Sequence, residues 1–112
     1  MNDIHKTLSE MGIKAHLDGY EQMACAIEIQ MREPRKNLMD IYREVGTQFG
    51  VAYARVERNI RYAIAVWLKD VSPDRLYAYF GNGVKFGDVI TNKQFIRTVA
   101  MVVEKTGGII GA

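Results

Sequence analysis

The chain has 112 residues, 48% hydrophobic and 25% charged, which is ordinary globular composition and enough for one domain with its own core. It carries no Gly/Ser tract and no charge block, which excludes disorder, and its apolar runs are too short to span a bilayer. Net charge is only +2, so any affinity for nucleic acid has to come from how the charges are distributed.

The start of the chain, Met1 to His5, lacks a cationic segment followed by an apolar one, so it does not read as a signal peptide. Cys25 is the only cysteine and sits in an apolar setting, Met23 to Ile27. A small core side chain in a reducing compartment is the expected reading, rather than a nucleophile, and the expected location is the cytoplasm.

Nearly every segment has helical periodicity. Ile4, Leu8 and Met11 recur at helical spacing, and Gly12 stops that segment. Tyr20, Met23, Ala24, Ile27 and Met31 form a second stripe, with Asp18 as its expected N-cap and Pro34 barring its continuation. Leu38, Ile41, Tyr42, Val45 and Phe49 mark a third helix, ended by Gly50. Val56, Ile60, Ala63, Ile64 and Trp67 mark a fourth. Ser72-Pro73 reads as an N-cap followed by proline at the first helical position, opening a short helix through Leu76, Tyr79 and Phe80. Gly81-Asn82-Gly83 breaks the chain, and Val84 to Ile90 reads as loop or a short extended piece. Thr91 caps a last helix through Phe95, Val99 and Val102. The tail from about residue 106 to 112 is expected to fray. The expectation is a single compact all-α domain over residues 1–112, with six helices and no strand ladder. Trp67, Phe49, Ile60 and Val56 are expected at the centre of its core.

The segment from Tyr42 to Trp67 carries the functional signal. Gly46 lies within the third helix and Gly50 follows at a turn. Val45 and Phe49 are expected to face inward before the turn, and Val51 and Val56 after it. Glycine inside a helix costs roughly 1 kcal/mol relative to alanine, so Gly46 is expected where the two helices approach closely. This spacing fits a helix-turn-helix; an ordinary helical hairpin has the same spacing, and the basic second helix puts the DNA-binding version somewhat ahead. The second helix is basic: Arg55, Arg58 and Arg61 fall within seven residues, with Glu57 the only acid among them. Arg55, Arg58, Arg61 and Tyr62 share the face opposite the Val56/Ile60/Trp67 stripe, with Glu57 and Asn59 at its flanks. Arginine can pair with guanine O6 and N7 in a major groove, and glutamate can accept from cytosine N4. A solvated face holding a Glu57–Arg61 helix pair is the plainer alternative.

The string Arg55-Val56-Glu57-Arg58-Asn59-Ile60-Arg61-Tyr62-Ala63-Ile64 resembles the recognition helix of the C-terminal effector domain of stage-zero sporulation protein A, whose pattern reads R-V-E-R-x-I-R-x-A-I. Gly12-Ile13-Lys14-Ala15-His16-Leu17-Asp18-Gly19-Tyr20 resembles that family's G-[IV]-P-A-H-[IL]-K-G-Y, and Thr91-Asn92-Lys93-Gln94-Phe95-Ile96 resembles its T-N-S-E-F-I. Leu76 to Gly81 matches a leucine-to-phenylalanine-glycine segment. The resemblance covers residues 4 to 103 in constant order.

It implies a domain that binds a short duplex box of the TGTCGAA type, often as two copies head to tail, and that contacts RNA polymerase. Carried across, Glu57 and Arg58 correspond to base readers, and Arg55 and Arg61 to phosphate or base contacts. Tyr62 stands where the family usually has histidine. Residues 69 to 76 fall where the family meets the sigma subunit. Ala54 replaces a family serine, and Gly87 to Ile90 replace a lysine-bearing stretch. The chain opens with methionine three residues before the matching helix, which leaves an excised domain or a stand-alone protein as the two readings. A stand-alone domain could instead act as a protein-interaction module that antagonises a full-length regulator.

No catalytic function is expected. His5 and His16 are the only histidines, His16 being expected to make a structural hydrogen bond in its turn. No spacing suits a metal site, and no phosphate loop or nucleophile elbow occurs. No cofactor and no metal are expected, and no membrane partner.

Overall fold

A computed structural model describes residues 3–81, 84, 87 and 89–106. Among these, all regular structure is helical: α1 Asp3–Met11, α2 Asp18–Arg32, α3 Leu38–Phe49, α4 Tyr53–Asp70, α5 Pro73–Phe80 and α6 Asn92–Thr106. The six-helix, all-α expectation holds. The expected tail falls largely outside the described residues, as do Asn82 and Gly83 of the expected chain break.

Local chemistry explains most boundaries. Gly12 adopts φ +95°, and the amides of Gly12 and Ile13 both reach the Leu8 carbonyl, closing α1. Ser72 Oγ accepts from the Arg75 amide with Pro73 in the first turn, as expected. Thr91 Oγ1 likewise accepts from the Gln94 amide at 3.1 Å. Asn37 caps α3 by accepting from the Asp40 amide at 2.8 Å. The start of α2 differs from expectation. Leu17 is its N-cap and makes no side-chain cap. Asp18 lies one residue inside, where its carboxylate complements the helix dipole instead of closing the end.

α2 is the central element, packed against α1, α3, α4 and α6. It therefore buries more than one stripe: Tyr20, Met23, Ala24, Ala26, Ile27 and Ile29 are all buried. Trp67 closes the core on the α5–α6 side. Its ring meets Phe95 edge-on at 5.6 Å and Phe80 at 6.0 Å, and its indole N–H donates to the Met11 carbonyl at 2.8 Å. That bond satisfies the one polar atom of the largest buried side chain. Val56 and Ile60 are fully buried on the same face of α4.

Phe49 is not in the core; it is 41% exposed. Its phase on α3 is that of Ile41 and Val45, but it occupies the last turn, beyond the layer that covers those two. There it borders a shallow cleft with Ile4, Ala24 and Cys25 and is covered on one side only. Val51, also expected inward, is partly buried against the core. His16 is exposed, and among the described residues its ring has no hydrogen-bond partner, contrary to the structural bond expected for it.

Candidate nucleic-acid interface

The unit α3–turn–α4 is built around two glycines. Gly50 ends α3 in the left-handed region (φ +70°, ψ +32°), which a β-carbon would disfavour. Gly46 has φ in the helical range and is needed for another reason. A β-carbon there would lie 2.5 Å from the Val51 carbonyl oxygen. The Gly46 carbonyl also accepts from the amides of Gly50 and Val51. The close approach is thus between α3 and the turn, with the start of α4 next nearest, rather than between the two helix bodies.

α4 buries Val56, Ile60, Ala63, Ile64 and Trp67. Those positions centre on one side of the helix, and Arg58 is diametrically opposite. Arg55, Arg58, Arg61 and Tyr62 are all exposed, Tyr62 by 61%, while Glu57 is half-buried at the flank. The structure therefore brings the five expected residues onto one surface. It distinguishes them by partner. Arg61 Nη1 donates to the Glu57 carboxylate one turn earlier. Arg55 and Arg58 have no ion-pair partner among the described residues, so their guanidinium donors are free for a ligand. The Glu57–Arg61 pair is exposed enough to be worth only a few tenths of a kcal/mol, and it can open toward a base edge at little cost.

Three contacts that helical periodicity did not signal hold this helix from beneath. Gly19, in the first turn of α2, lets α2 cross α4 so closely that a β-carbon would lie 2.2 Å from the Asn59 carbonyl oxygen. Nearby, Asn59 Nδ2 donates to Gln22 Oε1 at 3.1 Å. Asn92, buried at the start of α6, donates from its amide to the Tyr42 hydroxyl at 2.9 Å and to the Glu57 carbonyl at 3.0 Å. One side chain thus ties α6 to both helices of the helix-turn-helix. Burial pushes the Tyr42 phenol above its ordinary pKa, against the opposing effect of the Asn92 hydrogen bond, so the group stays neutral. Gly19 and Asn92 each lie in a motif singled out above, which was their only signal. At the start of α4, the Arg43 guanidinium lies over the Tyr53 ring, 5.3 Å from its centroid.

Other chemistry is sparse. Among the described residues no group of three or more His, Cys, Asp or Glu is placed to hold a metal ion. Cys25 is partly buried, its thiol donating to Gln48 Oε1 at 3.5 Å, and burial pushes its pKa up. That environment opposes thiolate formation. No described helix is long and apolar enough to cross a membrane.

A glycine-hinged helix pair presenting exposed arginines along the outer face of its second helix is the arrangement of a helix-turn-helix domain. More narrowly, the chain belongs to the family described as sporulation initiation factor Spo0A C terminal, which matches residues 4–103. This is a family of sporulation effector domains that bind DNA, regulatory rather than catalytic. No curated protein matches the chain.

Proposed function

We propose that this domain binds double-stranded DNA sequence-specifically and regulates transcription, with residues 53–67 of α4 in the major groove. Arg58 and Glu57 read bases, and Arg55 and Arg61 contact bases or phosphates at the same groove. Tyr62 lies alongside. The target is a box of the TGTCGAA type, two copies occupy adjacent boxes, and residues 69–76 meet the sigma subunit of RNA polymerase. A cytoplasmic location goes with this reading. The observation that carries it is Arg58: an unpaired arginine directly opposite the buried stripe, on a helix anchored by α2 and α6.

The test is Arg58→Ala, measured on the box and on a scrambled duplex at several salt concentrations. A base-reading arginine contributes about 1–3 kcal/mol of discrimination. Affinity for the box is expected to fall toward the scrambled value while the scrambled value barely moves. A parallel fall on both duplexes makes Arg58 a phosphate contact and leaves base reading to Glu57, Arg55 or Arg61. No change on either duplex, with helicity intact, rejects this face for DNA and favours a module that binds a full-length regulator. The Glu57–Arg61 pair, which neutralises two of the five proposed contacts within the helix, is the observation that favours this second reading.

A further inference from the structure

The bases of the α2–α3 region are largely spent on acids of this same chain. Arg32 and Lys36 both hold Glu44, each at 2.6 Å, and Arg43 holds Asp40 at 3.1 Å. The first two turns of α6 are different. Lys93 and Arg97 are exposed, four residues apart and therefore on one face of the helix. Neither has an ion-pair partner among the described residues.

The position of these turns is what gives the two cations meaning. Asn92 binds the Glu57 carbonyl, so the first turn of α6 is fastened to α4 at the residue preceding Arg58. Lys93 is the very next residue after that anchor. That cation lies one residue from the contact that joins α6 to α4.

We propose that the start of α6 is a second DNA-backbone contact, in which Lys93 and Arg97 neutralise phosphates flanking the groove occupied by α4. This inference rests on the DNA-binding reading above. Such contacts fix register and add affinity without reading sequence. They also release counterions, so each contributes to the salt dependence of binding.

The experiment compares the wild-type chain with Lys93→Ala, Lys93→Arg, Arg97→Ala and Lys105→Ala. Each is titrated against box and scrambled duplex across a salt series, with thermal midpoints measured in parallel. Lys105 is twelve residues along α6 from Lys93, about 18 Å at 1.5 Å per residue, and serves as an equally cationic control. Lys93→Ala is expected to weaken binding to both duplexes by the same factor and to reduce the slope of log K against log salt by about 0.9. Lys93→Arg should restore both, Arg97→Ala should repeat the loss, and Lys105→Ala should leave affinity and slope at the wild-type values. Midpoints should be unchanged throughout. If the wild type binds the box but Lys93→Ala keeps the same affinity and slope, the α6 contact is wrong and the α4 reading stands. Equal losses from Lys93→Ala and Lys105→Ala also overturn it, because they indicate general charge rather than a local contact. If the wild-type chain binds neither duplex, both readings fail together.

Discussion

Among single residues, the sharpest contrast is between Trp67 and Phe49, two large apolar side chains that the sequence presents alike. Trp67 is buried with its indole N–H bonded to the Met11 carbonyl, whereas Phe49 lies at the rim. Trp67→Ala is expected to cost about 3–5 kcal/mol and to lower the thermal midpoint sharply. Phe49→Ala should stay within about 1 kcal/mol, as rim substitutions do. Equal losses in thermal denaturation would reverse that assignment. Gly19 supplies a second residue-level case. Its missing β-carbon leaves room for the Asn59 carbonyl, a backbone atom that cannot swing aside. Gly19→Ala should therefore force α2 from α4, costing on the order of 1–3 kcal/mol or more. A variant as stable as the wild type would show that the crossing is looser than described.

Between elements, two links carry distinct consequences. The first is Asn92. Asn92→Ala removes the donor shared by the Tyr42 hydroxyl and the Glu57 carbonyl and leaves both partly unsatisfied, a loss of about 1–3 kcal/mol. Amide exchange near Glu57 should accelerate more than exchange in the middle of α2. Uniform acceleration would mean that Asn92 serves overall stability and not the placement of α4. The second link is the staple between the end of α2 and α3. Lys36, and after it Arg32, hydrogen-bond the Glu44 carboxylate and hold its pKa below the ordinary glutamate value. The folded state thus binds the Glu44 proton more weakly than the unfolded chain does. The resulting stability is present above the ordinary value and is lost as pH falls through the lower folded one. Glu44→Gln should lose less of its thermal midpoint than the wild type between roughly pH 6 and pH 3. Identical acid limbs would show that this exposed network contributes nothing.

These links also mark how far the sequence could be read. Helix ends were legible where one residue type decides them: Gly12 and Gly50 with positive φ, Pro34 after α2, the Ser72-Pro73 cap and the Thr91 cap. The five residues of the candidate surface were legible as well, because helical periodicity alone separates Arg58 from the Val56/Ile60/Trp67 stripe. Contacts between distant segments were not. Asn92 meets partners 50 and 35 residues away, and Gln22 meets Asn59 across 37. No local pattern encodes such pairings. Phe49 had the correct phase, but periodicity cannot tell where a covering layer ends. Asp18 has a good capping side chain, yet the backbone turns into the helix one residue earlier, at Leu17.

For the whole molecule, a net charge of +2 conceals a division of labour. Acids outnumber bases around α2 and α3 and hold most of those bases in ion pairs, while α4 and the start of α6 expose arginines and a lysine without partners among the described residues. A nearly neutral protein with a local basic surface should bind DNA with a salt dependence set by that surface rather than by total charge. The central claim is that α4 reads a specific duplex, and the most direct measurement is a binding titration of the wild-type chain. A duplex carrying the TGTCGAA-type box is compared with a scrambled duplex of equal length at several salt concentrations. Affinity for the box should exceed that for the scrambled duplex by about tenfold or more, as one good bidentate base contact allows. Both affinities should fall linearly on logarithmic axes as salt rises. Equal affinity for the two duplexes, or no binding to either at low salt, contradicts the claim.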